Sequence, residues 1–422
     1  MKLVKMSLAA AVLLGASAFA LDNVKVSGDA KVFYNTNNAD YGIDDNNDHN
    51  ADRYQSGLFE QGTTVDGIGG SAADVALRLG VTGDLLKGVS FGVTANAVST
   101  LGLENNLVSN TWTGAHSGVE DNRWVSEAWL ATTMGNTTAK IGRMELDTPL
   151  AFSEAWSVAK NTFDAAVVIN QDLPDTTLVG AWVGKSNGVD AANASTSTAD
   201  RDGILRDGAN FQTFAVDGAY AVALVNNSFK PATVQAWYYN VLSVADAYWL
   251  QADINCQLVK GVTIGAQYAN MDPKGLLAGI KDSSAYAFKL GYAMDALKVS
   301  AAYSKVDDEG TLKIANVATN NLSGAQSKLY TEAFWNYGYV GAPDATSWNV
   351  TAKYDAGFAK LGAYYTDASI DDTKAQVVTK ADNTDMTEVA LTASKSFGPL
   401  DATLAYISTD ADDKNSGKEY ST

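Results

Sequence analysis

From Val24 onward the chain alternates apolar with small or polar side chains in segments of about ten residues, the period of a strand with two unlike faces. Leu250, Ala252, Ile254, Cys256 and Leu258 fall on one face, and Gln251, Asp253, Asn255 and Gln257 on the other. The same alternation runs through Val262 to Tyr268, Tyr286 to Tyr292, Trp348 to Tyr354 and Leu400 to Tyr406. It predicts about seventeen strands, starting near Val24, Ala73, Gly88, Asn122, Thr137, Asp164, Thr176, Phe211, Thr233, Ala247, Val262, Ser284, Leu297, Thr346, Phe358, Met386 and Leu400.

The links between these segments are of two kinds. Short ones, such as Gly83 to Gly88, Gly135-Asn136, Lys260-Gly261 and Asp295-Ala296, alternate with long polar ones, such as Asn35 to Gly70, Glu145 to Phe163 and Val306 to Ala345. A soluble sandwich has no reason to sort its loops in this way, whereas a transmembrane meander does. The expected fold is all-β: an antiparallel, up-and-down, transmembrane β-barrel of about eighteen strands. About seventeen are present, an odd number, and no terminal aromatic follows Thr422. The closing C-terminal strand is therefore expected to be missing, with a gap between the Val24 and Leu400 strands.

The two faces differ in charge. Lys25, Asp29, Lys31, Arg78, Asp217, Asp253, Lys289, Lys298, Lys353, Lys360, Glu388 and Asp401 share the polar parity. A charge facing lipid at the bilayer midplane costs about 2–4 kcal/mol, so this parity belongs to a wet interior. A barrel of about eighteen strands is wide enough for an aqueous channel. Tyr268, Tyr303, Tyr365 and Tyr406, on the apolar parity near the far ends of their strands, suit the headgroup level.

Composition narrows the compartment. Lys2 and Lys5, the apolar run Leu8 to Leu14 and Ala18-Phe19-Ala20 spell a secretory signal peptide over residues 1–20, leaving 21–422 as the barrel with an inserted loop at 145–163. With Cys256 alone no intramolecular disulfide is possible, and a closed hydrogen-bond ladder must supply the stability. The formal charge is −18, so nucleic acid is not an expected partner.

Ile141-Gly142-Arg143-Met144-Glu145-Leu146-Asp147-Thr148-Pro149-Leu150, followed by Asn161-Thr162-Phe163-Asp164-Ala165-Ala166, resembles the strand-to-loop passage of OprD-like porins. Phe214-Ala215-Val216-Asp217-Gly218-Ala219-Tyr220, Leu250-Gln251-Ala252-Asp253 and the signal peptide resemble the Campylobacter-type major outer membrane proteins. The resemblance implies a porin in the outer membrane of a Gram-negative bacterium, trimeric, with an eighteen-strand barrel and an inward third loop.

An inward loop acts as a filter because a constriction with low-dielectric walls focuses the field of its charges. Arg143, Glu145, Asp147, Glu154, Lys160 and Asp164 lie on or beside that loop, and Arg78 and Arg123 could form a basic wall opposite. Surface ion pairs or loop-anchoring hydrogen bonds are the alternative for each. The parity at Arg123 is ambiguous, because Trp124 and Trp129 compete for the outward face. Asp217, Asp253, Lys289 and Lys353 are expected to line the lumen further along.

Other chemistry is sparse. No nucleophile elbow, zinc-protease helix, phosphate loop or Cys-x-x-Cys pair occurs, and His49 and His116 lie in long loops, so no enzyme and no cofactor are expected. Asp40 to Asp52 spaces oxygen ligands somewhat like a calcium loop but lacks its glycine and terminal glutamate, and a solvated acidic loop is preferred. Glu154 and Glu332 form a second calcium candidate suggested by the resemblance. Lys328 to Val340, with Phe334, Trp335, Tyr337 and Tyr339, either packs as core, which is preferred, or folds into the mouth or against a neighbour. The resulting reading is a passive, cation-preferring diffusion channel for ions and small hydrophilic solutes embedded in outer-membrane lipid. Its rivals are a substrate-specific channel and a secreted β-rich adhesin or binding module.

Overall fold

The computed structural model describes residues 21–36, 39–43, 52–56, 71–99, 122–155, 158–188, 211–319, 325–370, 385–413 and 418–421. The expected signal peptide, the loop histidines and most of the Asp40 to Asp52 run lie outside these residues. The described chain forms β1(Asp22–Thr36), β2(Ala39–Ile43), β3(Asp52–Ser56), β4(Ser71–Leu86), β5(Val89–Ser99), β6(Asn122–Met134) and β7(Thr137–Met144). There follow β8(Phe163–Asn170), β9(Thr176–Ser186), β10(Gln212–Thr213), β11(Ala219–Asn226), β12(Ala232–Val241), β13(Ala245–Asn255) and β14(Val262–Pro273). The last are β15(Ser283–Met294), β16(Leu297–Val306), β17(Thr346–Asp355), β18(Lys360–Ser369), β19(Asp385–Phe397), β20(Leu400–Asp413) and β21(Lys418–Ser421).

Setting aside the short β2, β3, β10 and β21, seventeen strands form one antiparallel meander, β1 with β4 and then each with the next to β20. Their starts lie within two residues of the expected positions except at Phe211. There a turn intervenes: Ala215 and Gly218 both take positive φ, at 51° and 89°, and the Gly218 amide donates to the Phe214 carbonyl at 2.9 Å. The main strand therefore begins at Ala219. Among the described residues β1 and β20 form no ladder with each other. β21 stands between β20 and β2, pairing with both.

The parity holds along the wall. Leu250, Ile264, Leu290, Val350 and Leu404 are exposed on the outside, and Tyr268, Tyr286, Trp348, Tyr365 and Tyr406 add aromatic surface there. The buried core lies inside the ring. Inward Trp237, Tyr239 and Trp249 of β12 and β13 pack against Leu150, Ile314, Leu329 and Val340, which belong to the loops at 145–162 and 307–345. Two connections thus fold into the lumen, where burying their apolar side chains replaces water.

Candidate functional site: the loops that fill the lumen

The first loop leaves β7 after Met144, two residues beyond Gly142, whose φ of 122° bends the end of the strand. Met144 and Phe163, at its two ends, are buried with Ala151, Val183 and Ala318. Between them Asn316 of the second loop receives the Phe152 amide on Oδ1 at 3.0 Å and donates from Nδ2 to the Phe152 carbonyl at 2.8 Å. The Glu154 carboxylate, 2% exposed, accepts from Asn316 Nδ2 at 2.8 Å, Thr319 Oγ1 at 2.9 Å and the Gln326 amide at 3.1 Å. Every one of these partners lies on the second loop, so Glu154 is a clamp between loops and not a charge facing the pore.

One wall of the lumen carries an ion-pair chain. Asp29 on β1 faces Arg78 on β4 across the ladder and accepts its Nε at 2.8 Å. Arg78 reaches on to Glu145 at 3.5 Å, and Lys160 closes on the other Glu145 oxygen at 2.8 Å. Asp147, largely exposed, pairs with Lys328 of the second loop, whose ammonium also lies 4.6 Å from the Phe152 ring centre. On the opposite wall Asp253 accepts from the Tyr330 hydroxyl at 2.7 Å and lies 3.6 Å from Lys289, which sits over the Tyr330 ring. Burial and the Asp253 charge push the Tyr330 phenol up, so it stays a donor. Lys353 is exposed on the inward face, over the Tyr364 ring.

The tip of the second loop crosses the ring. Glu388 on β19, 1% exposed, accepts the successive amides of Phe334, Trp335 and Asn336 at 2.7, 3.2 and 2.8 Å, and Asn336 Nδ2 at 3.0 Å. Three backbone N–H groups converging on one carboxylate form a small anion nest. Trp335 stacks on Phe33 of β1 at 5.9 Å, and Phe334 meets Tyr364 at 4.7 Å. The aromatic run Lys328 to Val340 is thus both core and mouth. Sequence parity placed Glu388 inside, but nothing in the sequence linked it to residues over fifty positions earlier.

Three residues expected at the constriction lie elsewhere. Asp164 stands between inward Phe163 and Ala165, so it points outward, and Arg143 pairs with it there at 2.8 Å. Arg143 also donates to the Val125 carbonyl at 3.0 Å and covers the Phe211 ring. Arg123 is exposed next to inward-buried Trp124, which resolves its parity to the outside. At Arg123 alternation misleads because β6 carries a bulge between the partners of Thr94 and Ala95; on β7 and β8, which carry none, plain alternation already sets Arg143 and Asp164 outside. Asp217 lies exposed in the turn before β11, accepting from Ser243 Oγ at 3.2 Å, and not on a lumen strand.

Glu332 accepts the Ser327 and Ala333 amides, and the Glu154 charge lies near enough to add to the rise that burial gives its carboxyl. Among the described residues no three His, Cys, Asp or Glu side chains converge on one point. Burial pushes the Glu332 carboxyl up to about 7 and pulls the Lys313 ammonium down to about 8, the Glu332 charge opposing the latter.

A family model described as "outer membrane porin, OprD family" matches residues 89–388. The chain belongs to the OprD family. It is an outer-membrane porin of the Gram-negative type, and its barrel resembles solved structures from Pseudomonas aeruginosa. OccK8 (OprE) matches at 14% identity with a TM-score of 0.63, covering 94% of this chain and 96% of that one. OpdK with vanillate matches at 15% identity with a TM-score of 0.65 and the same coverage. OccK3 (OpdO) matches at 14% identity and 0.60, covering 93% of each chain. No curated protein matches the sequence.

Proposed function

We propose that this OprD-family porin is a passive diffusion channel for ions and small hydrophilic solutes, its aperture set jointly by the loops at 145–162 and 307–345. The observation that carries this is the double hydrogen bond between Asn316 and Phe152, which ties the two loops together inside the ring. A constriction built from two tied loops holds its width without an energy source. Cation preference follows from the acidic surplus of the chain and from Glu145 and Asp147, the carboxylates with the most solvent contact on the first loop. Within the family we infer a channel of the Campylobacter major-outer-membrane type, assembled as a homotrimer after removal of residues 1–20. It performs no catalysis. Recording single channels of the purified protein in planar bilayers under a salt gradient tests the reading: steady, unsaturable conductance with a cation-signed reversal potential is expected. A chain that is soluble without detergent and forms no channels would sink it.

A substrate-specific channel is the second reading, favoured by one arrangement. Lys289, Tyr330 and Asp253 together offer a cation, a phenol donor and an aromatic face in the lumen, and the similar OpdK is known with vanillate. Flux that saturates with solute concentration would favour it.

A further inference from the structure

The outward displacement of Arg143, Asp164 and Arg123 leaves charge on a face that should meet lipid. β7 and β8 have eight residues each, about 26 Å along the strand and less across a membrane once tilted, against a hydrocarbon core of about 30 Å. They form a low saddle where the first loop turns into the lumen. The strands on either side are longer, thirteen residues in β6 and eleven in β9, and each carries an exposed outward cation near its outer end, Arg123 and Lys185. Lys185 pairs across the ladder with Asp164, which Arg143 already neutralises. Among the described residues no salt bridge occupies Arg123 or Lys185. Lys185 lies level with Ala128 of β6, and Arg123 five residues further up that strand, so over three strand spacings the two cations stand about 20 Å apart at the backbone, within joint reach of their long side chains.

Beside the saddle, on the outward face of β4 to β7, lies a shallow apolar groove of 480 Å³ lined by Leu85, Phe91, Val93, Leu130 and Ile141. Ile141, two residues below Arg143, is strongly exposed. The outward wall therefore carries a shallow apolar groove on β4 to β7 and, nearer the outer strand ends, two exposed cations that no salt bridge among the described residues occupies, on a chain whose formal charge is −18. A lipid with anionic head and acyl tails uses both parts.

We propose that the β5–β9 face binds a phosphorylated glycolipid of the outer leaflet, with one phosphate at Arg123, another at Lys185, and an acyl chain in the groove. Arg143 and Asp164 make the floor between them, a neutral pair over the end of β7. Charge-assisted hydrogen bonds from guanidinium and ammonium to phosphate are the strong kind, and the low saddle lets the head group descend to meet them.

The test uses the full mature protein in detergent, with diphosphoryl lipid A, monophosphoryl lipid A and phosphatidylethanolamine as probes, read by native mass spectrometry. Diphosphoryl lipid A should be retained about tenfold more tightly than the monophosphoryl form, and Arg123→Gln/Lys185→Gln should erase that preference. The double variant should keep wild-type conductance, since neither residue lines the lumen; a conduction failure in the wild type would bear on the channel reading alone. Equal retention of all three lipids, unchanged lipid A binding in the variant, or displacement by millimolar inorganic phosphate would overturn the proposal. Loss of oligomers in the variant with lipid binding intact would assign the face to a second copy instead.

Discussion

Asn316 and Phe152 stand 164 residues apart in sequence and exchange two hydrogen bonds, amide to Oδ1 and Nδ2 to carbonyl, in the middle of the barrel. Asn316 Nδ2 also reaches Glu154, so one side chain satisfies two backbone groups and shares a buried carboxylate. Removing it strands the Phe152 amide, leaves the Phe152 carbonyl with only the long Asn161 Nδ2 bond and takes one of the donors from Glu154, and an unsatisfied buried group costs about 1–3 kcal/mol. Asn316→Ala is expected to destabilise the loop assembly by about 2–4 kcal/mol, since relaxation and water recover part of that cost. Denaturant titration in detergent would check the stability, and single-channel recording should show larger, noisier conductance. A variant with wild-type stability and quiet channels would place the aperture elsewhere.

Buried Glu332 and Lys313 make the second loop sensitive to pH. Glu332 binds its proton more tightly in the folded protein, at about 7 against an ordinary 4.5, so its packing is most favourable below about pH 4.5 and loses ground as pH rises through about 7. Lys313 runs the other way: at about 8 against an ordinary 10.5, it opposes packing below about pH 8 and is relieved as pH climbs toward 10.5. The loop is therefore least firmly held near pH 7–8. Amide exchange across residues 325–345, corrected for intrinsic rates, should be slower at pH 5 than at pH 7.5. Glu332→Gln should give the slow rate at both, and a pH difference that survives in this variant would assign it to another group.

The wall was legible in the sequence because a strand with lipid on one side and water on the other writes its geometry residue by residue. Leu250 and Gln251 already show which way each points. The lumen filling was not legible, because its bonds join residues with no local signal, such as Glu388 to Phe334 or Glu154 to Thr319. Arg143 and Asp164 were expected at the constriction because they flank the inward loop, whereas the unbroken parity of β7 and β8, with Ile141 outside and Phe163 and Ala165 inside, sets both outward. The expected role of Glu154 failed for a different reason: on sequence alone a loop carboxylate looks solvated, and only the folded second loop buries it.

Glu388 fixes the loop tip through three backbone donors, and of the tip's side chains the Asn336 amide adds a fourth bond. Glu388→Ala removes the acceptor for three amides and for Asn336, freeing the Phe334–Asn336 segment to leave the lumen. Conductance should rise by a factor of about two, with rapid flicker, as a segment held by several charge-assisted bonds of about 1.5–3 kcal/mol each is released. Glu388→Gln keeps an acceptor oxygen and should give a smaller rise. Trp335→Ala, which removes only the stack on Phe33, should leave the tip pinned and widen the path beside β1 without flicker. If both Glu388 variants conduct as the wild type does, the tip does not bound the permeation path.

Selectivity should follow the carboxylates that remain in contact with water. Glu145 balances Arg78 and Lys160, and Asp147 balances Lys328. Replacing both by amides leaves three cations on the constriction with only Asp29 beside them, a change of two charges where the field is most focused. Glu145→Gln/Asp147→Asn is expected to move the reversal potential in a salt gradient toward anions, and assembly should persist because neither carboxylate is buried. Raising the salt to 1 M should shrink the shift, since the screening length there is about 3 Å. Glu154→Gln is the contrasting variant: its carboxylate lies within the loop clamp, so it should lower stability with little change in reversal potential. The opposite outcome, a selectivity shift from Glu154→Gln and none from the double amide, would mean that permeating ions pass behind the first loop and not between the two.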